Sequence, residues 1–154
     1  MPTAATATEF RSDLIDLIED AFDDQFDVLS GKLPRHMGSD GDYCGVSTAR
    51  QAPRSGQMND QEITVVVQFH LQYPKEKPIQ PKLVTDQSAI ETVVETFQAA
   101  VEDNGRGSGT TSGRWYFNIV GVDYPDDPIG QKSRAEVTLV SHGTNPAINL
   151  VETI

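Results

Sequence analysis

Apolar and polar residues alternate along this chain in patterns that change period several times. Over residues 8–26, Phe10, Leu14, Leu17, Ile18, Ala21 and Phe22 recur at helical spacing and form one stripe of an α-helix. Residues 27–29, Asp-Val-Leu, follow as a short strand, and Gly31, Pro34, Gly38, Gly41 and Gly45 then interrupt regular structure. Residues 30–59 are accordingly expected to be a long loop, a length usually reserved for functional segments. From residue 62 to 73, Ile63, Val65, Val67, Phe69, Leu71 and Tyr73 alternate with Glu62, Thr64, Val66, Gln68, His70 and Gln72, which predicts a long strand with one apolar and one mixed face. Pro74, Pro78 and Pro81 end it.

A second helix is predicted from about Asp86 to Asn104, with Ser88 and Glu91 at capping-box spacing and Ile90, Val93, Val94, Phe97 and Val101 as its buried stripe. Residues 115–124 and 134–142 read as two strands, and the turn chemistry of residues 125–130 between them predicts antiparallel pairing. Beyond Gly143, the tail ends in Ile148, Leu150, Val151 and Ile154, an apolar set expected to dock on this subunit or on a neighbour. The order is helix, strand, loop, strand, helix, strand, strand. This is an α+β arrangement, expected to form a single domain over residues 1–154 with an extension at 143–154.

Charge changes the picture in two places. The polar face of the first helix carries Glu9, Asp13, Asp16, Glu19, Asp20, Asp23 and Asp24 against one base, Arg11. Acids gathered toward a helix C-terminus oppose the helix dipole, so helix stability does not explain them. Within residues 46–59, by contrast, Arg50 and Arg54 meet no acid, a basic patch on a chain whose net charge is −11. That net charge argues against a protein that grips nucleic acid through its phosphates. No apolar run reaches the length of a membrane span, and residues 1–8 lack the features of a signal peptide, so the protein is expected to stay where it is made, without membrane partners.

Candidate chemistry is sparse. The single cysteine, Cys44, excludes an internal disulfide and reads as a packing residue, because Asp40 and Asp42 disfavour a reactive thiolate. His36, His70 and His142 are isolated in sequence. His70 and His142 sit on the more polar faces of two strands, where they could meet across a sheet, but two histidines without a third ligand make a weak zinc signal and read as structural residues. Residues 39–43 lack the ligand series of a calcium loop. Asp126 and Asp127 are bracketed by prolines, as in an exposed turn. No phosphate-loop ending or nucleophile elbow is present. The reading is a protein without catalytic, metal or cofactor residues, and not an enzyme.

The phrases Thr8-Glu-Phe-Arg-Ser-Asp-Leu-Ile15, Tyr43-Cys-Gly-Val-Ser-Thr-Ala-Arg-Gln-Ala-Pro-Arg54, Ile63-Thr-Val-Val-Val-Gln-Phe69 and Val122-Asp-Tyr-Pro-Asp-Asp-Pro128 resemble the tail terminator proteins of long-tailed, siphovirus-type phages infecting actinobacteria. The resemblance spans nearly the whole chain. It implies a mixed, mainly antiparallel sheet packed against two helices. It also implies six copies closed into a ring on the tail tube, where the ring stops tube polymerisation and meets the head-side connector. The implied location is the tail end at the virion neck, after assembly in the host cytoplasm. DNA would pass through the lumen without specific binding. The family carries no catalytic residues.

On that reading the acids Asp13, Asp16, Asp20, Asp23 and Asp24 are candidates for the lumen, with an ordinary acidic outer surface as the alternative. Arg50 and Arg54, with the tail residues Ile148, Leu150, Val151 and Ile154, are candidate assembly contacts with the tube protein, the connector or another copy. A mobile loop is the plainer reading of the arginine segment. Two other functions remain open from the residues alone. One is a head-to-tail stopper or adaptor of the neck, and the other a small hydrolase or ligand-binding domain with a pocket around His70 or His142.

Overall fold

The computed structural model describes residues 7–34, 41–54, 57–71, 87–105, 118–125 and 133–144. Its elements are α1 (Ala7–Ala21), β1 (Asp27–Leu29), β2 (Tyr43–Arg54), β3 (Gln57–His70), α2 (Ser88–Gly105), β4 (Asn118–Asp123) and β5 (Arg134–Thr144). The strands form one sheet in the order β1-β2-β3-β5-β4. Only β1 and β2 run parallel; the other neighbours are antiparallel, including the expected β4–β5 pair. This is an α+β fold with a mixed, mostly antiparallel sheet.

The expected loop over residues 30–59 needs correction. Its second half is β2 and the start of β3, paired from Tyr43↔His70 to Arg54↔Gln57. Gly45 suggested a break in structure, but it sits inside the strand. Pro53 stands where the register shifts, next to Arg54, a position that costs no regular ladder bond.

Both helices lie on one face of the sheet. Phe10, Leu14, Leu17 and Ile18 of α1, and Ile90, Val93, Val94, Phe97 and Val101 of α2, are buried against Cys44, Val46, Ile63, Val65, Val67, Phe69, Ala135, Val137 and Leu139. Strand alternation sends all of these sheet residues to the same side. Phe69 is the hub: its ring lies 5.7 Å from Phe22, 5.3 Å from Phe26 and 5.4 Å from Phe97, at tilted or edge-on angles that aromatic pairs favour. It thereby joins α2 and the turn after α1 to the central strand.

That turn accounts for two of the puzzling acids. Asp23 and Asp24 adopt left-handed backbone, with φ of 52° and 59°. The Asp24 N–H donates to Glu19 O at 3.1 Å and closes the helix end. Aspartate is among the few non-glycine residues that enter this region readily, so the stop signal for α1 is carried by acids despite the dipole. At α2, the Glu91 N–H donates to Gln87 O at 2.9 Å, which makes Gln87 the capping residue and moves the start one position before the Ser88–Glu91 box.

Candidate functional site

The face of the sheet opposite the helices carries Thr64, Val66, Gln68 and His70 from β3 and Arg134, Glu136, Thr138 and Val140 from β5, as the cross-strand register requires. After β1 the chain crosses this face as a strap, residues 30–34. Leu33 is buried beneath it and, among the described residues, is the one buried apolar residue outside the helix-side cluster. The strap can lie this low because residue 45 is glycine. A Cβ there would stand 2.7 Å from Gly31 O and 2.9 Å from Leu33 Cγ.

Under the strap a polar network replaces the apolar contacts of the other face. The Leu33 N–H donates to Gln68 Oε1 at 2.9 Å, and Gln68 Nε2 donates to Glu136 Oε2 at 2.8 Å. These two bonds fix which end of the Gln68 amide is which. Arg134 donates through Nη2 to Pro34 O at 2.9 Å and through Nε to His70 Nδ1 at 3.3 Å. An imidazole nitrogen that accepts from a guanidinium is unprotonated, so His70 is held neutral. Its ring is fully buried, with Tyr43 beside it at 6.5 Å between centroids. Two short sets of bonds, one through Gln68 and one through Arg134, therefore anchor the strap to the sheet.

His70 does not meet His142. In the β3–β5 ladder His70 stands opposite Arg134 and His142 opposite Glu62, at the two ends of the strand pair. At about 3.4 Å per residue in an antiparallel strand the eight-residue separation is roughly 27 Å. The cross-sheet approach that strand parity allowed does not occur. The His142 side chain itself, and all of His36, lie outside the described residues.

Beside the strap lies a shallow pocket of ≈ 380 Å³ lined by Lys32, Ser47, Thr48, Ala49, Val66, Gln68 and Glu136. It contains no histidine or cysteine, so its lining offers a cation, hydroxyls and an occupied carboxylate for binding. Among the described residues no group of three or more His, Cys, Asp or Glu is placed to hold a metal. Asp42 is engaged by Gln25 Nε2 at 2.8 Å, while Asp40, Asp126 and Asp127 lie outside the described residues. Cys44 is buried, and burial pushes its thiol pKa well above the ordinary range, as suits a packing residue. Tyr124 has its phenol pushed up by desolvation and then by the Glu91 and Glu95 carboxylates, so these acids stand near the end of β4.

The other sequence candidates are scattered. Asp16, Asp20, Asp23 and Asp24 are exposed and Asp13 is half-buried, an acidic ridge along the outer side of α1. Arg50 is exposed on β2, opposite Thr64, and hence on a strand instead of the expected loop. Arg54 ends β2, but its side chain lies outside the described residues, as do Ile148, Leu150, Val151 and Ile154.

The residues that sequence reasoning missed are at the sheet edges. β1 pairs with β2 only over Tyr43, Cys44 and Gly45. Among the described residues nothing pairs with the outer edge of β2 at residues 46–54, or with the outer edge of β4. The exposed large apolar side chains of the described residues are Leu29 on β1 and Val120 on β4, one at each end of the sheet. Val120 is 56 % exposed because it occupies the bulge between Ile119 and Gly121, where the β4–β5 register shifts. Neither a protein family nor a curated protein matches this sequence.

Proposed function

We propose that this chain is a structural subunit of a phage virion, a tail terminator: six copies close into a ring on the end of the tail tube, stop its polymerisation and present the joining surface to the head-side connector. The observation that carries the assembly part is the sheet itself: among the described residues nothing pairs with its two outer edges, and an exposed apolar residue lies at each end. Open edges are templates for pairing with another chain, and two unlike edges on one molecule favour head-to-tail contacts that close into rings. The terminator part rests on the sequence phrases quoted above.

The α1 ridge of Asp16, Glu19 and Asp20 supports a role around DNA. Facing a lumen, it would repel phosphates over a Debye length of roughly 8 Å at physiological ionic strength. Asp23 and Asp24 need no such role, since they sit in the left-handed turn that ends α1.

The test is sedimentation mass with electron microscopy, for the protein alone and mixed with tail tubes. The expected result is a closed ring, or a tube capped at one end. A protein found only on filled heads would instead be a neck stopper. A strict monomer that neither forms rings nor caps tubes would refute the proposal.

A further inference from the structure

We infer that the ring contact is strand addition: β4 of one copy pairs antiparallel with residues 46–54 of β2 in the next copy, covering Leu29 and Val120 and setting Asp123 against Lys32. This inference rests on the ring reading, and three independent features of the sheet lead to it.

The first is direction. β2 is antiparallel to β3, β3 to β5, and β5 to β4, so β4 runs opposite to β2 within one subunit. A second copy placed alongside in the same orientation therefore offers its β2 antiparallel to the first copy's β4. That is the pairing whose hydrogen bonds lie straight across the strands.

The second is level. Following the register across the sheet, Asn118 stands level with Val140, Thr64 and Arg50, and Asp123 level with Glu136, Gln68 and Gly45. The six-residue β4 thus meets the β2 of a neighbour at the height where the short β1 gives out. A small shift along the strand direction clears β1 altogether. Leu29, level with Gly45, and Val120, beside Gly121 at the level of Ser47, are then near neighbours across the contact.

The third is charge. At the β1–β2 end of the sheet Arg50 is exposed on β2, Lys32 on the strap above it and Asp27 on β1, while the β4 edge carries exposed Asp123, with Glu91 and Glu95 near Tyr124 just beyond it. Asp123 points to the same sheet face as Glu136, the face on which Lys32 lines the pocket. β4 carries neither lysine nor proline, and on the β2 edge the one proline, Pro53, lies next to the strand end, beyond the level that β4 reaches. Like edges would bring acid to acid, so the arrangement favours the head-to-tail contact over a two-fold dimer.

The test is a charge swap read by sedimentation velocity, with circular dichroism to confirm that each variant is folded. Asp123→Lys and Lys32→Glu should each raise the concentration for half-assembly by at least about tenfold, and the double variant should recover most of that loss. Val120→Lys, which charges the bulge, should also block assembly, and Lys32→Glu should not rescue it. If the wild type forms a ring and the single variants form it equally well, this contact is wrong while the ring stands. If the wild type stays monomeric both alone and with tail tubes, the contact and the ring reading fall together.

Discussion

Replacing Gly45 with alanine tests whether the strap is held down on the sheet or merely rests there. The new Cβ would sit 2.7 Å from Gly31 O and 3.0 Å from Leu33 N, both backbone atoms, so rotamer adjustment cannot relieve the overlap. The strap has to rise. Leu33, 5 % exposed, then regains water at a cost of roughly 1.5–3 kcal/mol for a leucine side chain. Loss of its N–H bond to Gln68 Oε1 costs about 0.5–1.5 kcal/mol more. Alanine's advantage over glycine inside a strand returns about 0.5–1 kcal/mol. The net destabilisation is about 2.5 kcal/mol, within a range of roughly 1–4. With a urea m-value of about 2 kcal/mol/M, the unfolding midpoint should fall by about 1 M. Leu33→Ala supplies the control. If the strap is already lifted in Gly45→Ala, Leu33→Ala should cost much less in that background than in the wild type, a coupling that a double-mutant cycle measures directly. A midpoint within about 0.2 M of the wild type, or strictly additive effects, would refute the claim that Gly45 exists to let the strap approach.

Three further outcomes follow from other parts of the fold. Phe69→Leu removes three aromatic contacts while keeping most of the volume, and should cost about 2 kcal/mol or more in urea denaturation; a loss below about 0.5 kcal/mol would show that the rings of Phe22, Phe26 and Phe97 do not depend on it. Asp24→Gly relieves a left-handed side-chain residue and removes a carboxylate from the helix C-terminus, partly offset by the flexibility glycine adds to the unfolded chain, so stability should rise by about 0.5–1 kcal/mol; a decrease would mean that the Asp24 side chain itself holds the turn. Because burial raises the Cys44 thiol pKa in the folded state, its contribution is fully present below the unfolded thiol pKa of about 8.5 and is lost as pH rises above it. The slope should approach about 1.4 kcal/mol per pH unit, and the wild-type curve should be steeper than that of Cys44→Ala over the same range.

The helix-side core was legible because it obeys simple periods. The stripe Phe10, Leu14, Leu17, Ile18 and the alternation Ile63, Val65, Val67, Phe69 each bury the residues that their spacing picks out. The opposite face was not legible. Gln68 and His70 have the identity and the parity of solvent-facing strand residues, yet they are buried, because a segment distant in sequence lies over them. Nothing in the period of a strand records what crosses above it. The missed β2 has a related cause. Its Gly45 reads as a breaker on local grounds, whereas the close approach of Gly31 and Leu33 is what demands a glycine there. Tertiary contact overrode local propensity in both places.

The unusual residues of this chain are of two kinds. Asp23 and Asp24 looked like charges kept for a partner, but their left-handed backbone explains them within the subunit. His70 looked like half of a ligand pair, and its bond with Arg134 places it in the network that pins the strap. Leu29 and Val120 resist this treatment. Each is a large apolar side chain facing solvent on a strand whose outer edge lacks a neighbour among the described residues, and neither takes part in the helix-side core. A subunit that folds alone gains nothing from an apolar bulge at one end of its sheet and an exposed leucine at the other. Pairing of the two ends between neighbouring copies, as proposed above, would cover both side chains. Thus the residues that the subunit does not explain lie on the two surfaces that a ring would bring together.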